Sequence, residues 1–174
     1  MDIFLDILKF TIPALVVFLT TSFLVKKFFE KDYNHKMLEL KKKNSDKSYS
    51  VRVQAYERLA LYLERINLNN SVMSHYKPGM SARLLQTELL TQIRREYDHN
   101  MAQQIYVTGP TWEMLKSAKE ETIKLINIAA QQAGKDANGV ELSSKIFELT
   151  AQLEESPSDI ALKQLKHDFQ KLFQ

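Results

Sequence analysis

Residues 7–25 read ILKFTIPALVVFLTTSFLV, an apolar run carrying a single charge, Lys9, near its start. Nineteen helical residues reach about 28 Å, close to the hydrocarbon thickness of a bilayer. Lys9 lies near enough to one end for its ammonium to reach the headgroups. Pro13 falls in the early turns, where a missing backbone donor costs least. Three other readings fit less well. A cleaved signal peptide wants a basic start and a small-residue cleavage site, whereas Asp2 and Asp6 precede this run and Lys26-Lys27-Phe28-Phe29 follow it. A buried core helix is rarely apolar on every face for this length. An interfacial helix carries a polar stripe, and none appears after Lys9. The run predicts one transmembrane helix. Acidic residues before it and lysines after it place the N-terminus outside and the rest of the chain in the cytoplasm.

The charge distribution sharpens that reading. From Lys26 to Arg52 nine basic residues stand against four acidic ones, a net of +5, whereas from Val53 onward 14 Lys and Arg face 15 Asp and Glu. The basicity sits beside the apolar run and not on the remainder, which points to a membrane surface through Lys26, Lys27, Lys31, Lys41, Lys42 and Lys43. A nucleic-acid module would carry its basic patch on the folded part, so no nucleic acid is expected as a partner. The chain has no Cys, which excludes disulfides, thiolate metal sites and thiol catalysis.

Gly and Pro number only four each, so long helices meet few breakers. Three segments are expected: a membrane helix at 1–25, a basic juxtamembrane neck at 26–50, broken or flexible around 41–48, and a helical domain at 51–174. Within the domain, Tyr56, Leu59, Leu63 and Ile66 mark a helix over 51–66. Residues 67–79 read as a loop. Leu85, Leu89, Ile93, Tyr97, Met101 and Ile105, spaced by four, predict a long helix over 81–106. Thr108-Gly109-Pro110 ends it. Trp112, Leu115, Thr122, Ile126 and Ala129 give the inner face of a helix over 111–133. Residues 134–139 form a loop, and a helix over 140–154 follows with Ile146, Phe147, Leu149 and Leu153 apolar. Ser156-Pro157-Ser158-Asp159 starts a last helix carrying Leu162, Leu165, Phe169 and Leu172. No useful strand alternation occurs. The class is all-α: one N-terminal transmembrane helix, then a small irregular cytoplasmic bundle of four to five helices.

The most unusual stretch runs from Arg94 to Tyr106, REYDHNMAQQIY after its first arginine. Glu96 and His99 have the Glu-x-x-His spacing of carboxylate-bridged di-iron bundles. Such sites need a second copy and two further glutamates, and the bundle has no second copy. The plainer account is a polar helix face with Glu96 near Arg95 or Asn100. His99 with Gln103, and Asn100 with Gln104, are each four apart and suit either an amide network satisfying helix ends or a grip on another backbone. Glu96, His99, Asn100, Gln103, Gln104, Tyr106 and Trp112 are therefore the candidate partner-binding residues, although a Trp after Gly-Pro is more often a core plug. Glu57-Arg58 and Glu64-Arg65, seven apart, are a candidate helix seam, within or between chains. No phosphate-cradling Gly loop, nucleophile elbow or His-Glu-x-x-His motif is present.

Two strings carry a resemblance: Gln54-Ala55-Tyr56-Glu57-Arg58-Leu59 with Leu63-Glu64-Arg65-Ile66, and His99-Asn100-Met101-Ala102-Gln103-Gln104-Ile105-Tyr106-Val107 with Trp112. With the apolar run ending Leu-Val-Lys-Lys-Phe and the segment Lys119-Glu120-Glu121-Thr122-Ile123-Lys124, the chain resembles a family of small membrane-anchored proteins from Bacteroidota, a domain of unknown function. The resemblance implies a bacterial inner-membrane location and supplies no activity. The expected function is a non-enzymatic accessory or scaffold protein without a cofactor. It would bind membrane lipid through residues 7–25 and the basic neck, and another membrane protein or complex, or itself, through the bundle. The alternatives are a stalk-like structural subunit and a metal-dependent enzyme using Glu96 and His99.

Overall fold

The computed structural model describes residues 2–171, apart from the side chains of residues 2–11, 13, 14 and 44–48. Among the described residues there are six α-helices, one 3-10 helix and no strand. The α-helices are α1 (Asp2–Ile66), α2 (Leu68–His75), α3 (Ala82–Asn100), α4 (Gly109–Ala133), α5 (Gly139–Ala151) and α6 (Pro157–Gln170), with the 3-10 helix at Met101–Ile105. The fold is all-α. The chain divides into two compact units, Met1–Tyr49 and Ser50–Gln174.

The first unit is helix alone. Its described apolar side chains, among them Phe18, Leu24, Phe28 and Phe29, are all exposed. Among the described residues no helix is long and apolar enough to cross a membrane. The expected span at 7–25 includes residues 7–11, 13 and 14, whose side chains lie outside that description. The expected break around 41–48 does not occur, for the backbone stays helical from Asp2 to Ile66. Lys, Asn, Ser and Asp are each poorer helix formers than Ala by only tenths of a kcal/mol, and neither Gly nor Pro stands there to break the hydrogen-bond ladder.

The second unit holds the core. The expected stripe Tyr56, Leu59, Leu63 and Ile66 is buried, joined by Ala55 and Tyr62. Against it lie Leu85, Leu89 and Ile93 of α3, Leu115 and Ile126 of α4, Leu142 and Ile146 of α5, and Leu165 of α6, each almost fully enclosed. Burying a side chain of this size contributes roughly 1.5–3 kcal/mol. Within the unit α4 packs on α3, α5 and α6, and α2 packs on α3 and α5.

Three expectations change. Residues 67–79 are not a plain loop: the Asn67 side chain accepts from the Asn69 amide and caps α2, whose Leu68 and Val72, four apart, are buried. The 81–106 helix stops at Asn100 and tightens into the 3-10 helix, so Met101 and Ile105 leave the buried stripe and face outward. In α5, Leu142 is fully buried while Phe147 is exposed, because the inner face runs Leu142, Ser143, Ile146; the helix ends at Ala151, so Leu153, exposed as well, lies past it. The start at Ser156 is as expected, its hydroxyl accepting from the Asp159 amide, whereas α4 begins at Gly109, two residues before the expected Thr111, with Pro110 in its first turn. Leu172 lies outside the described residues.

One close approach fixes the corner between α3 and α5. The Ala82 amide donates to the Ala137 carbonyl (3.0 Å) and the Gly139 amide to the Met80 carbonyl (2.7 Å). A Cβ at Gly139 would stand 2.9 Å from the Met80 oxygen, so only glycine permits this pairing.

Candidate partner-binding face

The last two turns of α3 lie beside the last turns of α1, and the paired arginines of the expected seam meet them. Arg65 Nη1 donates to Glu96 Oε2 at 3.1 Å, and Arg58 Nη2 donates to His99 Nε2 at 3.3 Å. The seam is therefore an intrachain one, with spacing seven on α1 matched to spacing three on α3. Glu57 and Glu64 point outward beside the exposed Leu61. The Glu96 partner is Arg65 and not Arg95. Gln92, buried one turn earlier, donates to the Arg65 carbonyl (3.0 Å) and so ties the C-terminus of α1 to α3.

The seven candidate residues separate into two groups. Asn100 and Trp112 are not surface residues. The Asn100 side chain turns back to donate to the Glu96 carbonyl (2.8 Å), a local satisfaction of the helix end. Trp112 stacks on Tyr97 with ring centroids 5.7 Å apart, and Tyr97 leans on Tyr62 at 6.3 Å. Lys119 Nζ closes this aromatic cluster, 4.0 Å from the Tyr97 centroid. Glu96, Gln103 and Tyr106 are half-buried, whereas His99 and Gln104 are exposed. The 3-10 helix adds to this outer group the two apolar side chains it displaces, Met101 at 42% and Ile105 at 72% exposure. The resulting corner presents apolar, amide and imidazole groups together.

The same side chains bear on the metal reading. Glu96 and His99 each face a guanidinium, a cation where a metal ion would have to sit. Among the described residues no group of three or more His, Asp and Glu is placed to hold a metal.

A second polar centre was not legible in the sequence. Asp168 of α6 is 6% exposed, and its Oδ2 accepts from Tyr56 Oη (2.9 Å), Thr108 Oγ1 (2.9 Å) and the Thr108 amide (3.3 Å). One carboxylate thus joins α1, the start of α4 and α6. Burial pushes its pKa up, but hydrogen bonds from Tyr56, Thr108 and Thr111 outweigh burial and hold the carboxyl below its usual value. Burial, then the hydrogen bond to Asp168 and its charge, push the Tyr56 phenol up to about 12. The only sequence signal was an Asp on the stripe side of α6, three residues after Leu165. Tyr62 behaves differently: its hydroxyl is buried with no hydrogen-bond partner, and burial drives its pKa far above the ordinary phenol value.

No curated protein and no solved structure matches the chain. A family model does, over residues 2–172, so it takes in the N-terminal helix as well as the bundle. The chain belongs to a family of unknown function, DUF7935.

Proposed function

We propose that the chain is a non-enzymatic accessory or scaffold protein anchored in the bacterial inner membrane, which presents its helical domain to another protein. In this reading residues 7–25 cross the membrane once with the N-terminus outside, and Ser50–Gln174 lies in the cytoplasm. The charge bias around the apolar run supports the orientation. The exposure of the described apolar residues from Leu15 to Val25 supports a lipid environment for them. Lys26, Lys27 and Lys31 then meet the headgroups. An upright α1 rises about 1.5 Å per residue and carries Lys41 roughly 24 Å past Val25. That exceeds a screening length of about 8–10 Å, so the lipid contact of Lys41, Lys42 and Lys43 requires a helix tilted toward the membrane surface.

The observation that carries the protein-binding part is the corner at the end of α3. An isoleucine 72% exposed, beside Met101, Gln104 and His99, is an apolar surface set in groups that hydrogen-bond. The test places a photo-crosslinking residue at Ile105 or Gln104 in membranes and identifies the adducts by mass spectrometry. One dominant membrane protein captured from this corner, and not from a control site at Glu148, is the expected result. Equal, diffuse capture from both sites overturns the reading.

The unbroken α1 favours a second reading, a stalk-like subunit, since a stalk wants a long charged helix without a break at 41–48. Scattering from the detergent-solubilised chain tests it, and a compact particle rules it out.

A further inference from the structure

In the first unit, α1 carries a line of apolar side chains that nothing in that unit covers. The line repeats every eleven residues. Phe18, Phe29 and Leu40 are eleven apart, and so are Ser22 and Tyr33. Leu15 and Met37 are two such steps apart, with Lys26 between them. Eleven residues make three helical turns at about 3.67 residues per turn, close to the period of the helix itself. The line therefore keeps to one face of α1 over residues 15–40, and its apolar members are 39% to 68% exposed. The opposite face is of another kind. Past Val25 it carries Lys27, Lys31, Asn34 and Lys42, with Leu38 as its apolar exception. Two cations fall on the apolar face. Lys26 stands at its membrane edge, and Lys36 is neutralised by Asp32, one turn away, at 2.8 Å. An eleven-residue apolar repeat is the pattern by which nearly straight helices pack along their length.

We infer that a second copy of the chain packs along this face, the two α1 helices parallel and in register over residues 15–40. The inference rests on the reading of residues 7–25 as a membrane span and names one partner of the anchored chain. Lipid covers only the first half of the line. The backbone of α1 is helical without a break from Asp2 to Ile66, and a helix that crosses a bilayer in this way cannot also lie flat on it. Met37 and Leu40 stand about 18 and 22 Å past Val25 at the helical rise, beyond a headgroup layer of roughly 5–8 Å at the tilts that spanning helices show. Their cover is protein. A helix of another protein would have to repeat this line at the same heights, inside the membrane and above it. A second copy does so of itself. The same run anchors it at the same depth, and the same charge bias gives it the same direction. Side by side, the two copies meet Phe29 to Phe29 and Leu40 to Leu40. Ser22 then faces Ser22 within the bilayer, where a small hydroxyl side chain lets two backbones come close.

The chain has no Cys, so single cysteines report on this face without background. Full-length chains with Phe29→Cys, Tyr33→Cys or Leu40→Cys, or with Lys31→Cys, Asn34→Cys or Lys42→Cys on the opposite face, are oxidised in bacterial inner-membrane vesicles and run on non-reducing gels. A disulfide needs Cα atoms within about 7 Å, so a band at twice the chain's mass is expected from the first three and at least about fivefold less of it from the others. Phe29→Glu with Leu40→Glu is expected to abolish the crosslink through Tyr33→Cys. The melting temperature of the bundle should not move, since neither residue belongs to its core. An even yield at all six positions, a maximum on the opposite face, or a crosslink mainly to a protein of another mass overturns the inference. An alkaline carbonate wash separates it from the reading beneath it. Release of the chain by the wash overturns the membrane span and the pairing together, whereas retention with an even yield overturns the pairing alone.

Discussion

The two units of this chain use the same helix type to opposite ends. In Met1–Tyr49 the described apolar side chains have no covering in their own unit, and Phe28 and Phe29 are two-thirds exposed. In Ser50–Gln174 Tyr56, Leu59, Tyr62, Leu63 and Ile66 of α1 are enclosed to within a few per cent, in one core cluster with side chains of α2 to α6. The difference teaches that helix formation and core formation are separate events here. Backbone hydrogen bonding and modest propensity suffice to continue α1 through residues 41–48, whereas only residues 50–171 assemble a hydrophobic core. The described apolar surface of the first unit has no cover within that unit, and the proposal of a lipid environment rests on this.

The largest expected effect sits in the enclosed part. Leu59→Ala should cost about 2–5 kcal/mol by thermal or denaturant unfolding, since Leu59 is fully buried and leaves a cavity. The matched change in the first unit, Phe18→Ala, should leave that transition where it is, and a comparable loss from Phe18→Ala would break the comparison. Gly139→Ala should follow, costing about 1–3 kcal/mol because its Cβ meets a backbone oxygen and not a flexible side chain.

Asp168→Asn should cost a similar amount, about 1–3 kcal/mol, by weakening three hydrogen bonds at a buried acceptor. Its pH signature has a definite sign. The folded carboxyl titrates below its unfolded value, so its contribution is present above the unfolded pKa and is lost as pH falls through the folded one. The Tyr56 phenol is displaced the other way, so its contribution holds below 10 and is lost as pH rises from 10 toward 12. Tyr56→Phe should flatten that alkaline loss, and an unaltered alkaline slope in stability would show that the Tyr56–Asp168 bond contributes nothing.

Smaller effects sharpen the picture at the seam. Arg65→Ala should cost about 0.2–1 kcal/mol, because its guanidinium is largely in water. Tyr62→Phe should be neutral or slightly stabilising, since it deletes a buried hydroxyl that bonds to nothing. A clear destabilisation from Tyr62→Phe, read from the same melting curves, would mean that a bound water partners that hydroxyl.

The legibility of this fold followed the strength of its periods. Tyr56, Leu59, Leu63 and Ile66, and Leu115, Thr122, Ile126 and Ala129, repeat at helical spacing and are inside. Short elements were missed where the signal is two residues long: α2 rests on Leu68 and Val72 with Asn67 as its cap, and an Asn-rich stretch reads more readily as a loop. Continuity at 41–48 was missed because a polar run lowers helix propensity without breaking it. Of the candidate site, His99 and Gln104 are on the surface as their spacing suggested. Asn100 and Trp112 are inside because a turn of backbone, invisible in composition, decides which way each one faces. The Asp168 centre could not be read at all, since its donors come from positions 56, 108 and 111.

The 3-10 turn at Met101–Ile105 decides what part of α3's apolar line is presented to the outside. The four-residue apolar period that begins at Leu85 continues in sequence to Ile105, but the backbone winds more tightly after Asn100 and turns its last two members outward. An exposed apolar corner is thus made from residues on the line of the buried stripe, with no polar position converted to an apolar one. Changes near Asn100 that restore α-helical winding would return Met101 and Ile105 to the line of the buried stripe. Exposure of this corner therefore depends on the winding after Asn100 and not on the composition of the inner face of α3.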